Sequence, residues 1–281
     1  MALDVNVSAG FINFARGFIF SMLALLFFYK KIFKMTLDDF KIGLFVGLMN
    51  FGGCIAQTVG VKYTTPSNNA FISAIYVVIV PFIAWLAYKK PLKIKSFIAI
   101  AFCLLGMAIL TGIMNKGFRI NQGDVYSLIS AFLYAGSIAY ISYGTSETDP
   151  TIVTFMLATV QTMGGLGYFF IVDGGQLIDV NWQVAILPLL YMGIVCSFAA
   201  QTIQVIAQRH TSATTAGLIM MLEGLFGSLF SVVFGFESFT FSMAVGGSII
   251  MIALVFMEVN FEQFARGRHS MNAPKLWTKD F

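Results

Sequence analysis

Residues 54–72 read CIAQTVGVKYTTPSNNAFI, and residues 198–219 read FAAQTIQVIAQRHTSATTAGLI. Each stretch closes an apolar run on Ala-Gln-Thr. Each then crosses a short polar link rich in Thr, Ser or Asn and opens into a second long apolar run. A helix–link–helix pattern alone can recur by chance in a membrane protein. The identical Ala-Gln-Thr, the matched link and the matched downstream run mark an internal repeat.

The surroundings say where such a repeat lives. Of 281 residues, 58% are hydrophobic and 11% charged, and the mean hydropathy is +0.83. Soluble domains carry about a quarter charged residues. Thirty Phe and 26 Gly point the same way, since Gly is common in membrane helices. The chain reads as an all-α integral membrane protein. Nine runs have the roughly 20 apolar residues that a crossing helix needs: about 11–29, 42–61, 68–88, 96–114, 124–143, 152–172, 183–206, 212–235 and 239–259. The first run leads straight into a full-length span, so no cleavable signal is expected.

Lys and Arg gather on the cytoplasmic side of membrane proteins. With the first link placed inside, alternation puts 13 of the 17 basic residues there, including Lys30–Lys41, Lys89–Lys95, Arg209 and the tail after Asn260. Arg16, Lys62, Lys116 and Arg119 fall outside. The expectation is a multi-pass protein of the plasma membrane with a cytoplasmic C-terminus and an external N-terminus. The two Ala-Gln-Thr links then lie on opposite sides, the mark of inverted repeats in secondary transporters. Residues 1–115 form the first repeat, 116–260 the second and 261–281 a basic tail. The second repeat holds five spans and the first four. Inversion needs an odd number, so one helix before Phe11 is expected to be missing from the first repeat.

The resemblance becomes specific at two places. NFARGFIFSMLALLF (13–27), with Arg16, and LIMMLEGLFGSLFSVVFGFESFT (218–240), with Leu222 and Glu223, resemble the second and ninth helices of the drug/metabolite transporter superfamily, EamA type. The family's usual Leu-Glu-Pro reads Leu-Glu-Gly here, with Gly224, and Phe236 replaces the Gly before Glu237. The resemblance implies two inverted five-helix repeats and a central cavity walled by the third, fourth, sixth, eighth and ninth helices. It is nearly silent about substrate.

The polar residues within the spans reach the same walls independently. A polar side chain facing lipid is costly, and positions i, i+3, i+4 and i+7 share one helix face. Asn50, Gly53, Cys54 and Gln57 align, as do Asn69, Ser73 and Tyr76. Tyr126, Ser130, Tyr134 and Ser137 form a third stripe, and Ser197, Gln201, Gln204 and Gln208 a fourth. Such residues also hydrogen-bond between packed helices. The substrate-binding set expected from them is Asn50, Gln57, Asn69, Ser73, Tyr76, Tyr134, Ser137, Gln201, Gln204 and Glu223. Glu223 stands about 16 Å from either end of its span, close to the midplane. With Arg16, Lys62 and Arg209 near span ends, no cation is expected at its depth. Three roles stay open for it: neutral hydrogen-bonded glue, which the recurrence of Leu-Glu-Pro in family members of unrelated substrate favours, a proton-coupling site, or direct substrate contact.

Gly43 with Gly47, and Gly164, Gly165 and Gly167 with Gly246 and Gly247, read as close helix contacts. Pro81 reads as a bend. Cys54, Cys103 and Cys196 suit packing between helices better than disulfides. Only His210 and His269 are histidines, and there is no His-Glu-x-x-His or P-loop, so neither an enzyme nor direct ATP drive is expected. No cofactor and no metal are expected. The reading is a secondary transporter that moves a small organic metabolite, amino acid-like or drug-like, by alternating access. The alternative is a channel-like or transport-inactive structural or regulatory membrane protein. The expected partners are the bilayer, a small-molecule substrate and protons, with a homodimer left open and nucleic acid excluded.

Overall fold

A computed structural model describes residues 7–91, 93–111, 121–177, 180–233 and 238–258. Among them the chain forms nine helical spans and no strand. These are α1 (Ala9–Ile32), α2 (Leu37–Tyr63), α3 (Pro66–Ser73 continued by Tyr76–Tyr88), α4 (Ile94–Leu110) and α5 (Gln122–Tyr143). They continue with α6 (Pro150–Ile171), α7 (Trp182–Gln208), α8 (Ala213–Met220 continued by Leu222–Val233) and α9 (Phe241–Glu258). Six are long and apolar enough to cross a membrane: α1, α2, α3 from Asn68, α5, α6 and α7. The basic tail 261–281, Lys116, Arg119, Phe236 and Glu237 lie outside the described residues.

The links start helices for local reasons. Thr36 with Asp39 and Asn121 with Asp124 form reciprocal capping boxes on α2 and α5. Thr65 caps α3 ahead of Pro66, and Asp149 caps α6 ahead of Pro150. Proline suits the first helical position because the N–H it lacks has no partner there.

The bundle is tied along pairs. α1 packs most extensively on α6, α2 on α5 and α6, and α4 on α9. Small residues permit the closest crossings. A methyl at Gly17 would meet the Thr162 backbone at 2.5 Å, and one at Gly106 the Gly246 carbonyl at 2.8 Å. Gly43 and Gly47 admit Met156 and Val160 of α6, Gly164 admits Phe51, and Gly247 admits Leu225. Gly167 meets nothing within 4 Å and makes no such contact.

α5 fixes the inversion. At its start, Thr64 of the α2–α3 link donates to Asp124 Oδ1 at 2.7 Å. At its end, the Ala213 N–H of the α7–α8 link donates to the Tyr143 hydroxyl at 3.2 Å. The two Ala-Gln-Thr links therefore sit at opposite ends of a 22-residue helix, about 33 Å apart. One end of the bundle collects the basic links. There Lys31 pairs with Asp149 at 2.9 Å, Arg209 Nη1 donates to the Ser146 carbonyl at 2.7 Å, and Lys90 lies 5.0 Å over the Tyr143 ring.

Three spans depart from simple helices. α3 breaks at Ala74–Ile75, before Pro81, so the proline ring alone does not set the break. α8 breaks at Met221, two residues before Glu223. α7 is π-helical over Met192–Ala199, which shifts the register that a 3.6-residue period assumes.

Candidate functional site

The two broken helices match in detail. α3 and α8 each begin after a capping hydroxyl, Thr65 or Ser212, that accepts from the third N–H. Each runs eight residues and is then interrupted. Tyr76 and Glu223 hold the same position counted from their helix starts, just past the break.

The Glu223 charge acts on the Tyr76 hydroxyl across the bundle. Arg16 joins them from α1. Its Nε donates to Ser197 Oγ on α7 at 3.2 Å, and its charge acts on Glu223, Tyr134 and Cys196. Arg16 is the eighth residue of a 24-residue helix, about 10 Å in from its start. This corrects the expectation that no cation shares the depth of Glu223. α1 begins earlier than the apolar run suggests, and α8 lies opposite. Among the described residues Glu223 makes no hydrogen bond or salt bridge. Its side chain is exposed.

The remaining residues divide by what they touch. Tyr134 donates to Gln57 Oε1 at 3.1 Å and lies 3.2 Å from Cys54 Sγ, joining α5 to α2 beside the charged pair. Asn69 donates to Ser127 Oγ at 2.8 Å and to the Gln57 carbonyl at 3.2 Å, so its amide ties three helices. Asn50 is buried. Ser73 Oγ, Ser137 Oγ and Gln201 Oε1 are buried without a hydrogen-bond partner among the described residues. Gln204 is half-buried on α7. Tyr126 leaves its stripe: it stacks on Tyr63 at 6.3 Å at the bundle end.

Sequence reasoning missed Arg16 as a site residue, although its charge in an apolar run was the signal. It also missed Asn13, buried on α1, which donates to Thr58 Oγ1 at 3.3 Å and accepts from Gln161 at 3.4 Å. Thr58 belongs to the first Ala-Gln-Thr, so that motif supplies Gln57 toward Tyr134 and Thr58 toward α1. Among the described residues no three His, Cys, Asp or Glu side chains group to hold a metal.

A family model for the EamA-like transporter family matches residues 2–112 and 121–259, one match for each half. The chain belongs to the EamA-like transporter family. An uncharacterized transporter of Archaeoglobus fulgidus is 33% identical over 79% of this chain and 70% of its own length. Solute carrier family 35 member F2 of Mus musculus is 25% identical over 69% of this chain and 54% of its own. A solved crystal structure shares the fold with a TM-score of 0.72 at 15% identity, covering 94% of this EamA-like chain and 88% of that one. Family membership and the apolar helices make the protein a multi-pass membrane protein of a solute-transporter family.

Proposed function

We propose that the chain is a secondary transporter that moves a small, partly polar organic solute along a path past Arg16, Tyr76, Tyr134 and Glu223. The observation that carries this reading is that Arg16 and Glu223, opposite charges within apolar helices of different repeats, lie near enough for one charge to act on the other. An ion pair in direct contact would be glue. Here no salt bridge within 4 Å forms, and each charge remains available to a solute. Arg16 suits a carboxylate and Glu223 an ammonium, so a zwitterion of amino-acid type fits both poles. Gln57, Gln201 and Gln204 are the proposed amide contacts. The breaks in α3 and α8, matched across the repeats, provide the hinges that alternating access needs.

The same reading makes the protein a carrier rather than an enzyme. It puts the protein in the plasma membrane with the lysine-rich end cytoplasmic, and makes Glu223 a candidate for proton coupling. The test is uptake of a panel of labelled amino acids and neutral metabolites into proteoliposomes. Arg16→Leu is expected to lower uptake of carboxylate-bearing solutes about tenfold or more while leaving folded protein. Removing a hydrogen bond to a charged group costs about 1.5–3 kcal/mol. Uptake equal to native would remove Arg16 from the solute path and the reading with it.

A further inference from the structure

A separate feature lies at the lysine-rich end. The α3–α4 link, the end of α5, the α7–α8 link and the end of α9 enclose a cavity of about 920 Å³. Among the described residues its lining includes Lys90, Lys93, Lys95, Arg209 and His210, and no Asp or Glu. One sign of charge around a concave wall focuses the field within it. Asp149, the acid of the adjacent α5–α6 link, is engaged by Lys31 at 2.9 Å and does not line the cavity.

The walls hold these cations in place. The Lys90 ammonium rests 5.0 Å over the Tyr143 ring, itself part of the lining. Lys95 Nζ donates to the Met257 carbonyl at 2.8 Å, which sets it at the far wall. Arg209 spends Nη1 on the Ser146 carbonyl, while its Nε and Nη2 are buried with no hydrogen-bond partner among the described residues. Ser142 Oγ, in the same lining, is likewise buried and unpartnered. The first turn of α8, behind Ser212, adds the positive end of a helix to this wall.

We propose that this cavity is an anion site for a phosphoryl group, with Lys90, Lys93 and Arg209 supplying the charge. Several cations, hydroxyls and a helix N-terminus in one space match a multiply charged tetrahedral anion with many acceptor oxygens. The volume admits more than a bare halide. A soluble organophosphate and an anionic lipid headgroup share that chemistry. The cavity lining includes neither Arg16 nor Glu223, and the site does not rest on the transport reading.

The test uses the full chain in nanodiscs of phosphatidylcholine, titrated calorimetrically with pyrophosphate. Saturable binding that weakens with salt is expected. Lys90→Gln with Lys93→Gln should weaken it about tenfold or more, and Lys90→Arg with Lys93→Arg should retain it. Arg209→Gln should add to the loss. Because Arg209 also holds the α5–α6 link, the double lysine variant, checked by an unchanged melting temperature, carries the result. Discs containing phosphatidylglycerol separate the two sources. If native affinity for pyrophosphate falls there more than the variant's does, lipid phosphate occupies the site. If both fall equally, the site prefers the soluble anion. Absence of saturable binding in phosphatidylcholine discs, or equal binding by native and double glutamine chains, overturns the proposal.

Discussion

The two Ala-Gln-Thr segments begin as copies and end in different surroundings. α2 packs against both α5 and α6, and 39% of its most apolar window is buried. α7 leans mainly on α1, and 22% of its window is buried. Gln57 accepts from Tyr134, whereas its counterpart Gln201 has a buried Oε1 without a partner among the described residues. Past the breaks, α3 presents a buried phenol, Tyr76, where α8 presents an exposed carboxylate, Glu223. The repeat preserves caps, breaks and helix lengths. It does not preserve what fills the matched positions, and the proposed solute chemistry sits where the copies diverge.

The most damaging test of that contrast is Glu223→Gln, which keeps the hydrogen-bonding shape but cannot release a proton. With the carboxylate as coupling site, the variant should fold and lose its response to an imposed pH gradient in proteoliposome uptake. Near-normal transport with unchanged pH dependence would make Glu223 structural, and the two post-break positions would differ only in residue type.

Packing should show the opposite asymmetry. A methyl at Gly123, at the start of α5, would meet the Gly60 carbonyl and the Thr64 nitrogen, both at 2.6 Å. Backbone cannot step aside, so Gly123→Ala is expected to destabilise by about 1–3 kcal/mol. At Gly193 on α7 the nearest atoms to the new methyl all belong to the Ile19 side chain, Cδ1 at 2.7 Å and Cβ at 2.8 Å, so relief needs a small shift of α1 but no backbone atom is among the nearest. Gly193→Ala should cost less. Detergent melting curves of the two variants rank them, and a reversed order would contradict the tighter packing around the end of α2 than around α7.

A finer comparison pairs Gln57→Leu with Gln201→Leu. The first removes an acceptor from Tyr134 and should cost about 1 kcal/mol of stability. The second should leave melting unchanged and alter uptake kinetics. If Gln201→Leu and Gln204→Leu both leave uptake unchanged, the α7 stripe is packing only.

The smallest effect belongs to the Lys31–Asp149 pair, whose side chains are 58% and 32% exposed. Burial pushes the Asp149 carboxyl up, but hydrogen bonds from Lys31 and Thr151 outweigh it and hold it below the usual carboxylate range. A carboxyl lowered on folding stabilises above its unfolded value of about 3.9. That contribution fades as pH falls through the folded value. Lys31→Met should therefore lower stability by at most about 1 kcal/mol near neutrality. The gap from native should close in melts taken below about pH 4.

The sequence by itself determined the number and rough bounds of the spans, the repeat, its inversion and the helix-starting links. Those follow from hydropathy, charge bias and capping chemistry, which act on a few neighbouring residues and leave a local pattern. The stripes on α2 and α5 were legible for the same reason, and Gln57 does meet Tyr134. Only the tertiary structure decided that Arg16 shares the level of Glu223. Depth depends on where α1 begins and how α1 and α8 face each other, and a run of apolar letters encodes neither. It also decided the π-helical turn in α7, which no 3.6-residue period anticipates. The gathering of lysines from one link and Arg209 from another around a single cavity was likewise invisible, because those residues are neighbours through packing and far apart along the chain.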